Sequence, residues 1–400
     1  MRIALVSQEY PPETAKGGIG SQTYAKAHGL ASLGHEVEVI SRTPGTVPSE
    51  RMDHQVRVMR VPGFEARMAV YSPSADWVTY SAEVSVALAA RHSIRPFDLV
   101  DFPEWGAEGY VHLLNQSEWN RIPTVLHLHG PLVMFAHTLG WPALDSLFYR
   151  VGSAMEGTCL RLADAVISSS RCSAEWCARH YFLDAGSTPI LHTGVSTSMF
   201  QPGVAAKAKR PTIVFAGKLE VNKGVKLLVE AACALAKEFP DLHLRLLGRG
   251  EEKMQQELRA MAQAKGFPEL LDLPGFISRE ELPSHLCRAH LFAAPSQYEG
   301  GPGFVYLEAM ACGLPVIACS GSGAAEVVQA GETGFLVPPQ NLEALVEALR
   351  MLLSDPAKRQ VMGEKARQFV LDEADSAICL RRLEAFYLAV ISGRATHRIS

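Results

Sequence analysis

Short apolar runs rich in β-branched residues alternate with segments of helical period along almost the whole chain, a pattern that parallel sheets crossed by helices impose. In the first half the spacing predicts strands at 2–7, 36–41, 56–61, 98–102, 124–129, 165–169 and 189–192. A second series opens at 211–217 and continues through 243–247, 290–294, 315–318 and 334–337. Among the intervening helices, Val225, Leu228, Val229, Ala232, Leu235, Ala236 and Phe239 share one apolar face suited to packing on a sheet. Between the series lies 201–211, bracketed by prolines, rich in Ala and Lys, and without periodicity. The chain therefore reads as α/β, with two doubly wound, Rossmann-like parallel-sheet domains at 1–200 and 212–380, a linker at 201–211 and a terminal segment at 381–400. Open parallel sheets bind ligands beyond the carboxyl ends of their strands, so a cleft faced by both domains is the expected site.

Composition narrows the function. With 400 residues, 48% hydrophobic and 20% charged, the chain is an ordinary globular one that needs no disulfide or metal staple. A net charge of −4 leaves no electrostatic footprint for nucleic acid. The eight cysteines form no C-x-x-C pair and read as reduced core thiols. The opening run 1–7 is too short for a signal peptide, and the apolar stretch 304–319 is cut by Glu308. A cytoplasmic location is expected, with no more than peripheral contact at the inner face of a membrane. Arg381, Arg382, Arg394 and Arg398 give the one hint of such contact.

Chemistry concentrates in three strand-to-helix junctions. Gly17 and Gly18 follow the first strand, where backbone amides at a helix start can approach an anion; the spacing is not G-x-G-x-x-G, which argues against a nicotinamide dinucleotide. The second domain opens likewise with Gly217, Lys218, Lys223 and Gly224. Two ammonium groups there are either solvated loop lysines or point charges aimed at a diphosphate leaving group. The third junction, 295–315, sets Glu299 and several glycines before a helix starting about Gly303, with Glu308 among apolar neighbours inside it. A carboxylate so placed needs a partner, and the paired hydroxyls of a ribose or hexose supply one.

Taken in order, Gly17-Gly18, 31–37, His127-Leu-His129-Gly130, 163–167, Gly194-Val195 with Phe200, Gly217-Lys218 with Lys223-Gly224, 247–250, 274–276 and the Glu299 to Glu308 block cover nearly the whole chain. This set resembles the retaining, nucleotide-sugar-dependent glycosyltransferases of family 4, also called glycosyl transferases group 1, which have the GT-B architecture. The resemblance implies a hexosyltransferase moving sugar from a nucleoside-diphosphate donor to a saccharide or lipid-linked acceptor. It implies that Lys218 and Lys223 bind the diphosphate, that Glu308 holds the ribose, and that Glu299 meets hydroxyls of the transferred sugar. Gly17, Gly18, Gly303, Phe304 and Val305 would approach phosphates and sugar, Gly248, Arg249, Phe276 and Ile277 would border the base, and His129 would lie near the reacting sugar. In this architecture the segment 381–400 often packs back on the first domain as a helix.

Three departures stand out. Eight residues separate Glu299 from Glu308 where the family usually has seven, Lys218 stands where arginine is common, and Ser196 where Asp is frequent. Glu104, Trp105 and His127 leave the ends of first-domain strands and are expected on the acceptor side. No D-x-D and no zinc-like His/Cys spacing occurs, so neither metal nor cofactor is expected, and protein cations must face the diphosphate. No carboxylate is identifiable as a nucleophile for double displacement. As in the family, front-face attack is the mechanism expected. A sugar-nucleotide epimerase of the same architecture is the alternative. The residues do not choose nucleotide, sugar, acceptor or oligomeric state.

Overall fold

A computed structural model describes residues 1–14, 18–63 and 69–394, so the expectations placed on Gly17 and Arg398 lie outside the described residues. Two compact units divide the chain: Met1–Thr193 with Ala377–Ser400, and Gly194–Ser376.

The first unit carries a seven-stranded sheet of β1 (Arg2–Val6), β2 (Glu36–Arg42), β3 (Ser49–Asp53), β4 (Val56–Val61), β5 (Leu99–Pro103), β6 (Thr124–Leu128) and β7 (Ala165–Ser168), in the order β3-β4-β2-β1-β5-β6-β7. Every pairing is parallel except β3 with β4. That antiparallel edge strand was not among the sequence expectations, because Ser49-Glu-Arg-Met-Asp53 has almost no apolar content and lies largely outside the core. Conversely, 189–192 is not a strand; one bridge between Ser168 and Ile190 is all that forms there. Central strands β1, β5 and β6 are buried throughout, as continuous apolar runs between two helical layers should be.

The second unit has six parallel strands, β8 (Thr212–Ala216), β9 (His243–Leu247), β10 (Leu271–Gly275), β11 (Leu291–Ala294), β12 (Val316–Cys319) and β13 (Gly334–Val337), in the order β10-β9-β8-β11-β12-β13. β10 was also unforeseen, since its Leu-Asp-Leu-Pro-Gly sequence carries a proline and only two leucines. The helix Val225–Leu235 buries Val225, Leu228, Val229, Ala232 and Leu235, the face expected; Phe239 lies past its end and is only partly buried.

The boundary falls at Thr193/Gly194, not at 201–211. Residues of that stretch are fastened to the second unit: Lys207 Nζ donates to Ala289 O at 2.6 Å and the Ala208 amide to Arg288 O at 2.9 Å. Arg367 likewise donates to the carbonyl of fully buried Phe200 at 2.6 Å. Composition resembling a linker here reflects short backbone contacts that need no apolar side chains. The chain returns to the first unit at Ala377, and the helix Ser376–Ile391 sinks Leu383 and Tyr387 into the core beside Ile3, Leu5 and Val125. None of the eight cysteines forms a disulfide, and seven of them are buried.

Candidate active site

In the second sheet the chain runs outward from β8 through β9 to β10, then restarts on the other side at β11. Strand order reverses between β8 and β11, and the loops leaving those two strands part around a natural ligand position. They are the loops of Lys223 and Glu299. Lys223 ends a short turn of 3-10 helix (Val221–Lys223), and its Nζ donates to Glu299 Oε1 at 2.7 Å. Backbone bonds bind the loops together: the Gln297 amide donates to Asn222 O at 2.8 Å and the Gly323 amide to Glu299 O at 2.8 Å.

Gly224 closes the lysine loop at φ 72°, and a Cβ there would stand 2.2 Å from Pro295 O. Only glycine permits both the left-handed backbone and that approach. The next loops are tied in the same way, with Leu219 N donating to Arg249 O at 2.7 Å and Gly248 N to Gly275 O at 2.8 Å. Lys218 is exposed at the loop start, while Arg249 lies over the exposed Phe276 ring at 4.5 Å; Ile277 instead packs partly buried against the core.

The helix Phe304–Ala311 starts beyond Gly303, which sits at φ 64° and has no side chain to cap it. Its amino end is therefore backbone alone, suited to anionic or hydroxylic ligands. Phe304 and Val305 are half-buried against the core. Glu308, one turn along, is 3% exposed, and burial pushes its carboxyl pKa up. Arg279 Nη1 donates to its Oε1 at 2.8 Å and partly offsets that shift. Arg279 was missed from sequence because Arg279-Glu-Glu281 looks like ordinary surface charge.

In the first unit the order reverses between β1 and β5. Gly18 opens the helix Gly18–Ser32 after β1, with nothing within 4 Å of the position a Cβ would take. Glu104 and His127 do not line a surface as expected; both are fully buried. Glu104 folds back beneath the end of β6, accepting from the His129 amide at 2.8 Å and the Gly130 amide at 2.5 Å. Burial raises its carboxyl pKa to about 7 despite those donors. Trp105 is half-buried among aromatic rings, 4.8 Å from Phe135 and 5.6 Å from Trp77. His129 follows β6, half-buried, its ring stacked on His127 at 4.3 Å. Burial first, and then the Lys26 ammonium, hold both imidazoles well below the usual histidine range.

Two parallel-stranded α/β units, one carrying a lysine–glutamate pair at its switch point and a buried carboxylate on the adjoining helix, define a nucleotide-sugar glycosyltransferase of the GT-B type. The chain belongs to the glycosyltransferases of group 1 and family 4: residues 199–369 match Glycosyl transferases group 1, and residues 16–199 match Glycosyltransferase Family 4. It is 32% identical over 286 residues to a GDP-mannose-dependent alpha-(1-6)-phosphatidylinositol monomannoside mannosyltransferase of Mycolicibacterium smegmatis, covering 64% of this chain and 72% of that one. A glycogen synthase of Mycobacterium tuberculosis is 26% identical over 98% of this chain and 96% of its own. The fold is shared with sucrose-phosphate synthase from Thermosynechococcus elongatus at a TM-score of 0.82 and 24% identity, covering 98% of this chain and 99% of that one. No helix among the described residues is long and apolar enough to cross a membrane.

Proposed function

We propose that the chain is a retaining hexosyltransferase that moves a hexosyl group from a nucleoside-diphosphate sugar to a saccharide or lipid-linked acceptor. The Lys223–Glu299 pair at the switch point of the second sheet is the observation that carries this reading. A diphosphate gains negative charge as the bond from its β-phosphate oxygen to the sugar's anomeric carbon breaks, and the ammonium groups of Lys218 and Lys223 stabilise that charge. Glu299 orients Lys223 and accepts from sugar hydroxyls, while Glu308 shares its carboxylate between Arg279 and the nucleoside ribose. Front-face attack then forms the bond from the acceptor oxygen to the anomeric carbon, and the acceptor's proton passes to the leaving diphosphate. In this reading no metal takes part, protein cations and the backbone at Gly303 being the charge partners. The helix start at Gly18 is the first unit's candidate for a phosphate contact, and Trp105 its candidate for the acceptor.

The relatives differ in donor and acceptor, so the donor is open to direct measurement. GDP-mannose, UDP-glucose and UDP-N-acetylglucosamine would each be tested for thermal stabilisation, where a ligand at a hundredfold its Kd adds about 2.7 kcal/mol. Transfer would follow with the stabilising donor and a panel of saccharide and lipid-linked acceptors. A one-bond C1–H1 coupling that assigns the product the donor's anomeric configuration supports retention; an inverted product, or no stabilisation by any nucleotide sugar, contradicts the reading. Nothing in the site favours the epimerase alternative.

A further inference from the structure

A line of buried polar groups runs beneath His129 in the first unit, and the donor-only ammonium at its start orients the first imidazole. Lys26, on the helix Gly18–Ser32 and 4% exposed, donates from Nζ to Asp101 Oδ1 at 2.7 Å and stands 2.9 Å from His127 Nδ1. An ammonium offers donors only, so Nδ1 of His127 is the accepting nitrogen and the ring's proton sits on Nε2. Two oxygens lie within reach of that proton, Leu191 O at 3.0 Å and Ser169 Oγ at 3.1 Å. Ser169 Oγ is also 3.0 Å from Nδ1 of His129. With His127 donating toward it, the hydroxyl has its single hydrogen left for His129 Nδ1 at 3.0 Å or Gln22 Oε1 at 3.5 Å, and the shorter contact favours His129.

We propose that Ser169 is a positioning residue that holds His129 as the tautomer protonated at Nε2, so that the imidazole offers a transferred sugar a donor and not an acceptor. The role toward the sugar rests on the function proposed above; the tautomer does not. Several features keep the arrangement from inverting. Asp101 uses its second oxygen to accept from Tyr387 Oη at 2.5 Å, so both its oxygens are engaged and Lys26 stays fixed. Asp101, His127 and Ser169 are each 3% exposed or less, so bulk solvent has little access to them. His129 is held in place from its other side by the Glu104 carboxylate on its own amide. A neutral ring with a fixed donor selects for an oxygen lone pair in the ligand, and a sugar lacking that oxygen would leave the N–H unpaired.

The test is nitrogen NMR of the full chain labelled in its 14 histidines, with His129 assigned by the signal lost in His129→Gln. The expected wild-type spectrum shows His129 neutral and protonated at Nε2; protonation at Nδ1 overturns the proposal, whether or not any sugar is transferred. In Ser169→Ala the His129 signals should move toward a mixture of tautomers. With the donor that stabilises the wild type, kcat should fall about tenfold while KM for the donor changes less, the loss expected for one oriented hydrogen bond. An alanine variant that melts earlier but keeps both the tautomer and kcat would show that Ser169 only packs, and would overturn the proposal. Should that variant fail to fold, an Nδ1-protonated His129 in the wild type would still overturn the proposal. Absence of transfer with every donor, alongside an Nε2-protonated His129, would count against the enzymatic reading and leave the tautomer assignment standing.

Discussion

Arg279 reaches Glu308 at 2.8 Å, so the carboxylate assigned to the ribose is already shared with a guanidinium. Arg279 is 45% exposed and Glu308 side chain only 3% exposed, which makes the loss of the arginine more serious for its partner than for itself. Arg279→Ala is expected to lower stability by about 1–2 kcal/mol, less than for a wholly buried pair because water can approach from the arginine side. It should also weaken donor binding, since Glu308 then takes a proton more readily and loses acceptor capacity. Urea denaturation and the donor KM at neutral pH check both.

Lys223→Ala should reduce kcat about 10²-fold, the scale seen when one charge-stabilising donor is removed. The ion pair with Glu299 is partly solvated on both sides, so stability should change by no more than about 1 kcal/mol. Turnover and thermal melting measured on the same preparation would separate the two effects; unchanged turnover would remove Lys223 from the mechanism.

Two glycine substitutions should behave oppositely. Gly224→Ala pushes a Cβ to 2.2 Å from Pro295 O at a left-handed backbone position, and should destabilise by at least about 2 kcal/mol while separating the Lys223 and Glu299 loops. Gly18→Ala meets nothing within 4 Å, and its melting temperature should match the wild type. A loss of donor affinity in Gly18→Ala at unchanged stability would then be assignable to ligand contact alone, read by titration calorimetry with the stabilising nucleotide sugar.

Glu108 governs a pH effect. Burial pushes its carboxyl to about 8, while the unfolded chain's carboxyl titrates near 4.5. Between those values the folded chain holds a proton that the unfolded chain releases, so the group's contribution is complete below about 4.5 and is lost as pH rises through 8. Glu108→Gln keeps an oxygen for the Gln8 amide, which now donates to Oε1 at 2.9 Å, and removes the titration. Stability of the variant relative to wild type should rise by on the order of a few kcal/mol between pH ~5 and ~8.5, measured by urea denaturation. A difference that does not move with pH would show that Glu108 does not titrate in this interval.

Sequence was most informative about what gathers beyond the strand ends. Lys223 and Glu299, singled out in the segments after two apolar runs, do meet in the loops that follow β8 and β11, and Gly303 does precede a helix. It was least informative about depth. Glu104 and His127 stand at strand ends too, yet they turn inward, and nothing in their order along the chain distinguishes a side chain that folds under its loop from one above it. Lys26 was overlooked because the buried face of the helix Gly18–Ser32 mixes Gly20, Gln22, Thr23 and Lys26 with Ala27, Leu30 and Ala31, so it carries only a weak hydrophobic mark. Ser169 ends the stretch expected as a strand at 165–169, in a row of serines, Ser168-Ser169-Ser170, with nothing to mark one of them out. The edges β3 and β10 were missed for a related reason: an edge strand buries less and keeps less of the apolar signature.

The helix Ser376–Ile391 completes the first unit after the whole of the second has been threaded between its parts. A ribosome making this protein would therefore release the partner of Asp101, Tyr387, more than 280 positions after Asp101 itself. Until then Lys26 has one fewer neighbour to hold its counter-ion, and the imidazole of His127 lacks its final setting. Assembly of the histidine-bearing half thus waits for a segment made long after it, with the helix Ser376–Ile391 acting as the key that locks a proton pattern laid down at the start.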